Sequence, residues 1–89
     1  MAFNSNNLSA LAYANGFTLW HYKSPDLAAN IDTAGYFNNA AAMLRVGDFI
    51  MANVNINGAI QSGVFIVKTN SGSVVNVANI ADLGPLDTD

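Results

Sequence analysis

The chain carries one histidine, His21, and no cysteine. A hydrolytic reading makes His21 a general base, oriented by Asp26 or Asp48 and serving a serine such as Ser62. No spacing joins these residues into a nucleophile motif, and the plainer reading of His21 is an imidazole beside Trp20 and Tyr22. Gly47-Asp48 has the look of a ligand loop. Calcium loops, however, need several oxygen ligands at set spacing and a closing glutamate, and the sequence contains no glutamate. The pair reads instead as a tight turn entering a strand. A single histidine without thiols leaves no structural zinc site. Asp82, Asp87 and Asp89 read as a solvated acidic tail rather than a metal cluster. The stretch GAIQSG at 58–63 lacks the Lys and Ser/Thr that a phosphate loop requires. Asn7-Leu8-Ser9 matches a glycosylation sequon, which means little without a secretory signal. Trp20, Tyr22, Tyr36 and Phe37 have faces that stack on sugars or bases, yet in a small domain such rings more often anchor a core or an interface. No catalytic, cofactor or metal residues are assigned, and the chain is expected not to be an enzyme.

Composition points the same way. Charged residues are 10% of the 89, against about 25% in an average soluble domain. Two readings compete: a monomer with an uncharged surface, and a subunit largely covered by neighbours, which the depletion of charge at interface cores favours. A chain this short has a small core, and with no disulfide or metal to brace it, oligomerisation is the remaining common support. Lys23, Arg45 and Lys68 are the only cations and the net charge is −3, which disfavours direct binding to nucleic acid or to an anionic membrane. The opening MAFNSNNLSA lacks the charged and apolar regions of a signal peptide, and no run is long enough to span a bilayer. Synthesis in the cytoplasm is expected.

The elements follow from turn residues and alternation. Residues 1–15 read as an extended N-terminal arm, with Leu8, Leu11 and Ala12 on one face should it be helical. Asn15-Gly16 marks a turn. Phe17 to Tyr22 reads as a strand with Phe17, Leu19 and His21 on one face and Thr18, Trp20 and Tyr22 on the other. Ser24, with Pro25 behind it, is placed to cap a short helical turn through Ala29. Phe37, Ala40, Ala41 and Leu44 fall at helical spacing, predicting about two turns of helix that end at Arg45. Val46-Gly47-Asp48 then turns into a strand from Phe49 to Ile56, whose apolar set is Ile50, Ala52, Val54 and Ile56. Asn57-Gly58 predicts a type I′ hairpin. A return strand to Lys68, with a bulge at Gly63, leads to a turn at 70–72 and a third strand from Ser73 to Ile80. The expected fold is mainly β: one antiparallel meander or barrel-like domain over 16–89, with one short helix and an acidic tail. Val64 to Val67 are apolar on both faces, so both sides of the sheet should be covered, by a curled chain or by a neighbouring subunit.

Three segments carry a resemblance: Gly16-Phe17-Thr18-Leu19-Trp20-His21-Tyr22, then Asp32-Thr33-Ala34-Gly35-Tyr36-Phe37, then Met43-Leu44-Arg45-Val46-Gly47-Asp48. This order, followed by a hairpin and an acidic Asp-Thr-Asp tail, resembles a family of short proteins encoded among the virion genes of tailed bacteriophages and related prophages. The likeness runs from about Asn15 to Asp89 and includes no catalytic signature. It implies a structural role, foremost as a capsid decoration (cement) protein that binds the shell of the major capsid protein. The alternative is a head- or tail-fibre module that binds a receptor or glycan. The resemblance further implies a homo-oligomer, a trimer by preference, on the capsid surface of the virion. Phe3, Leu8, Leu11, Trp20, Tyr36 and Phe37 are the residues expected at its interfaces.

Overall fold

A computed structural model describes residues 3–83 of the protein. The acidic stretch at 84–89 lies outside the described residues. The fold is mainly β with one short helix, as alternation and turn residues predict. Its elements are β1 (Leu8–Ala14), β2 (Phe17–Lys23), α1 (Ala28–Ile31), β3 (Phe49–Val54), β4 (Gln61–Ser71), β5 (Val74–Val77) and β6 (Ala81–Asp82). The strands form one six-stranded sheet in the order β1-β2-β3-β4-β5, with β6 also on β4.

Residues 8–14 of the N-terminal arm are extended, and they pair antiparallel with β2. The turn between them is Asn15-Gly16, where φ is +54° and +76°. Positive φ at both positions is the type I′ geometry that Asn-Gly favours. The Asn57-Gly58 pair behaves otherwise. The β3–β4 pairing closes at Val54 and Gln61, so the loop spans 55–60 and its left-handed residue is Asn55, at φ +53°. This loop is longer because its backbone is already committed. The Asn55 amide donates to the Asp26 carbonyl at 2.9 Å and the Ile56 amide to the Ser24 carbonyl at 3.3 Å. Gly72 and Ser73, both at positive φ, turn β4 into β5.

The meander β3-β4-β5 is antiparallel as expected, but β2 pairs with β3 in parallel. A parallel neighbour requires a crossover that carries the chain back along the sheet. Residues 24–48 do this, and they cover one face. Ser24 does not cap a helix at Pro25. Its Oγ accepts from the Asp26 amide at 2.9 Å, while its own amide donates to the Asn53 carbonyl. The backbone here still runs alongside β3, so α1 begins only after Leu27. The two-turn helix predicted over 36–44 is a shorter 3₁₀ turn, Asn38–Ala40, flanked by irregular turns. The Asn38 side chain accepts from the Val75 amide at the sheet edge, at 2.9 Å, and ties the backbone to β5. The inward spacing survives the change: Phe37, Ala40 and Leu44 are buried.

The core lies between crossover and sheet. Ile31, Phe37, Ala40 and Leu44 meet Trp20 and Tyr22 of β2, Ile50, Ala52 and Val54 of β3, Phe65 and Val67 of β4, and Val75 and Val77 of β5. Asn70 of β4 reinforces the contact, donating its side-chain amide to the carbonyls of Ala41 and Leu44, both at 2.7 Å.

Gly63 is not a bulge. The irregular registers fall at Ala10/Ala12 and at Val67/Thr69, while Gly63 pairs regularly with Ala52. The glycine is required by a close approach: a Cβ there would stand 2.4 Å from the Ala81 carbonyl oxygen and 2.7 Å from Cγ1 of Ile80. Gly63→Ala is therefore expected to push β6 off β4 and to destabilise the fold by about 1–3 kcal/mol. Hydrogen exchange would show it as faster exchange of the Leu83 amide, which is bonded to the Ser62 carbonyl.

Candidate functional site

The groups that chemistry would need are placed apart. Asp48 immediately precedes β3 and is 1% exposed. Gly47, at φ +93°, turns the chain so that the carboxylate points back under the sheet. There Oδ1 accepts from the Thr18 amide at 3.1 Å, and Oδ2 accepts from the Trp20 indole Nε1 and the Arg45 amide, each at 3.0 Å. Asp48 thus pins the end of the crossover to β2. This is why the Leu-Arg-Val-Gly-Asp run is needed where it stands.

Asp26 is 2% exposed and belongs to a second network. Its Oδ2 accepts from the Tyr36 hydroxyl at 2.7 Å, and Oδ1 is buried without a partner among the described residues. The Tyr36 hydroxyl lies 2.9 Å from that of Tyr22, which accepts from the Asn4 amide at 3.1 Å. Phe3 closes the network, stacked on Tyr22 at 5.5 Å and edge-on to Phe37 at 5.5 Å. Burial, then the hydrogen bonds with Tyr22 and Asp26, hold the Tyr36 hydroxyl protonated far above its ordinary range. A raised pKa makes its contribution to stability fully present below about pH 10, where an unfolded tyrosine begins to ionise, and lost as pH climbs further. Wild-type protein should therefore lose stability from about pH 10 upward. Tyr36→Phe should flatten that decline and lower stability at neutral pH by about 1–3 kcal/mol, since it removes the Asp26 donor. Urea midpoints at pH 8 and pH 10.5 would check both effects.

His21 lies on the opposite side of the sheet from these carboxylates. Its Nε2 is 3.2 Å from Nδ2 of Asn53, and Ser62 donates its hydroxyl to Oδ1 of Asn53 at 2.5 Å. The structure does bring His21 and Ser62 to one face, but with an amide between them and both acids across the sheet. No nucleophile–base contact forms. Among the described residues, no three His, Cys, Asp or Glu side chains stand close enough to share a metal ion.

Of the residues expected at interfaces, Trp20 and Phe37 are core residues and take no part in a free surface. The indole N–H of Trp20 is already committed to Asp48. Phe3, Leu8 and Tyr36 are half-buried against that core. Only Leu11, at the irregular point of edge strand β1, is exposed. Nearby Tyr13 is also exposed, with the Arg45 guanidinium 5.9 Å from its ring centre.

The surface that stands out is the second face of the sheet. The registers align Leu19, Phe49 and Ile66 in one row and His21, Met51 and Val64 in the next. Phe17 packs edge-on against Phe49 at 5.2 Å. Lys23, Asn53 and Ser62 form the following row and make one end of the face polar. The crossover covers the other side of the sheet, and among the described residues no segment covers this one. Phe49 is 41% and Met51 38% exposed. Alternation in β2 and β3 signals two distinct faces, and the apolar run of β4 signals that both need cover. Neither pattern shows which face the chain itself fills.

Comparison with protein-family models, with curated proteins and with solved structures finds no match.

Proposed function

We propose that the protein is a non-enzymatic structural component of a tailed-bacteriophage virion, a capsid decoration protein that docks on the shell of the major capsid protein. The observation that carries this reading is an apolar sheet face left uncovered on a chain with only 10% charged residues, which suits a subunit of a larger assembly better than a solitary domain. Such a face loses free energy when another polypeptide covers it, at roughly 25 cal/mol per Å² of apolar surface. Exposed apolar patches of this kind mark interaction sites in folded proteins. The resemblance of residues 16–22, 32–37 and 43–48 to small virion proteins supplies the setting. Synthesis in the host cytoplasm followed by addition to a preformed shell fits a small, cysteine-free domain. Many weakly held copies stabilise a shell by mass action, without chemistry.

Trp20 gives no support to the fibre reading, because its ring is buried and its N–H is occupied. The test is co-sedimentation of purified protein with shells assembled from the major capsid protein of the same phage. Saturable loading at a fixed ratio to capsid subunits is expected. Absence of loading, or localisation to fibres by antibody labelling of virions, would reject the decoration role.

A further inference from the structure

We propose that the uncovered sheet face is completed by a second copy of the same chain, packed face to face as a two-fold pair. This inference rests on the reading of the protein as an assembly subunit and names the partner of its open face.

Three observations favour a like partner. The first is size. The five strands, four to eleven residues long and about seven on average, rise about 3.3 Å per residue and lie about 4.8 Å apart, giving a face of roughly 24 by 23 Å. Two copies then bury about 1,000 Å² in projection, where specific pairing begins, and side-chain relief adds to it. The second is charge. Met51 sits near the centre of this face on the middle strand, and its own row and the Leu19–Phe49–Ile66 row hold no carboxylate and no cation. Lys23 lies at one end, and Lys68 beyond Ile66 at the other. A copy meeting itself therefore encounters no like charge in the buried centre.

The third is the state of the polar groups. His21, Asn53 and Ser62 are bonded to one another, at 3.2 and 2.5 Å. A face meant to stay wet can leave such groups to water. Here they are already partnered, so covering them orphans little. Sheets of the same kind pack aligned at about 10 Å, with their side chains interleaved. A two-fold axis along the strands sets the Leu19–Phe49–Ile66 row against its own copy. It keeps the polar row of Lys23 at the solvated end, where lysine stems reach water.

Sedimentation of the whole chain tests the pairing. Wild type should sediment at twice the 9.4 kDa chain mass. Phe49→Lys should raise the dissociation constant by at least about 30-fold, since it buries a charge at the centre of the contact. Phe49 is exposed in the single chain, so the variant should keep its far-UV spectrum. A second variant uses the absence of cysteine. Cysteines at position 51 in facing sheets about 10 Å apart lie beyond disulfide reach but within that of a short bis-maleimide. Met51→Cys should cross-link to dimers at concentrations where Ala34→Cys, exposed on the crossover, does not.

A wild-type monomer at about 100 μM, an assembly of odd order, an oligomer indifferent to Phe49→Lys, or equal cross-linking of the two cysteine variants would overturn the pairing. Shell co-sedimentation keeps this failure separate. A monomer that still loads on shells rejects only the pairing, and a dimer that never loads rejects only the decoration role.

Discussion

Asp48→Ala is expected to destabilise the protein by about 3–5 kcal/mol, the range seen when a buried charge loses its partners or buried donors lose theirs. The carboxylate is 1% exposed and accepts from Thr18, Trp20 and Arg45. Truncation leaves those three N–H groups facing a gap, each costing about 1–3 kcal/mol if water does not enter. At 0.05–0.15 kcal/mol per residue, 89 residues give a total stability of roughly 4–13 kcal/mol, so the variant stands close to unfolding at room temperature. Asp48→Asn separates charge from shape. Its oxygen can serve only one side of the network, and its NH₂ must face a donor, so an intermediate loss of about 1–3 kcal/mol is expected. Urea titration followed by Trp20 fluorescence reports both variants, because the indole is itself a ligand of the carboxylate.

Phe37→Ala is the second large effect, with an expected loss of about 3–5 kcal/mol. The ring is 1% exposed and sits edge-on to Phe3, Tyr22 and Tyr36 at 5.5, 5.4 and 5.0 Å. Its removal opens a cavity beneath the hydroxyl network of Tyr22, Tyr36 and Asp26. Thermal unfolding should shift strongly at every protein concentration. An interface residue behaves differently: truncation would leave the monomer stable and weaken only assembly. Phe37 thus separates the role its ring suggests in the sequence from the role its burial assigns.

Much of the fold was legible because β2 and β3 alternate cleanly and turn residues bound them. The two faces of β2 are those that Phe17, Leu19 and His21, against Thr18, Trp20 and Tyr22, predict. In β3 the inward set Ile50, Ala52 and Val54 is as expected, while Ile56 falls in the loop. What alternation does not encode is strand direction. The parallel β2–β3 pair depends on where residues 24–48 return to the sheet, and that depends on long-range contacts. These include Asp48 on Trp20, Asn70 on Leu44 and Asn38 on Val75. The last of these, with the Gly35 amide donating to the Val75 carbonyl, ties the start of the predicted helix to β5, and the segment forms a 3₁₀ turn there.

The candidate surface was half legible. The excess of apolar residues in β4 shows that both faces want cover, and the scarcity of charge is the ground for proposing that a partner supplies it. The particular residues were obscured by ring size. Trp20, Tyr36 and Phe37 look like anchors of an interface because large aromatic residues serve there, yet they serve equally in a core. The face left open is built mainly from Leu19, Phe49, Met51, Val64 and Ile66, which carry no such flag singly and become a patch only through strand register.

That patch supplies its own reporter. Met51 lies at its centre and is 38% exposed in the single chain, while Met43 lies on the crossover and is 47% exposed. Both thioethers should meet peroxide at similar rates in dilute monomer, each becoming a sulfoxide. The direct measurement is methionine oxidation, read residue by residue by mass spectrometry, in dilute protein, in concentrated protein and in protein bound to shells. Selective protection of Met51 in the two assembled states, with Met43 still oxidised, is the expected result. Equal oxidation of Met51 and Met43 under all three conditions would contradict the assignment of this face as the surface on which the protein assembles.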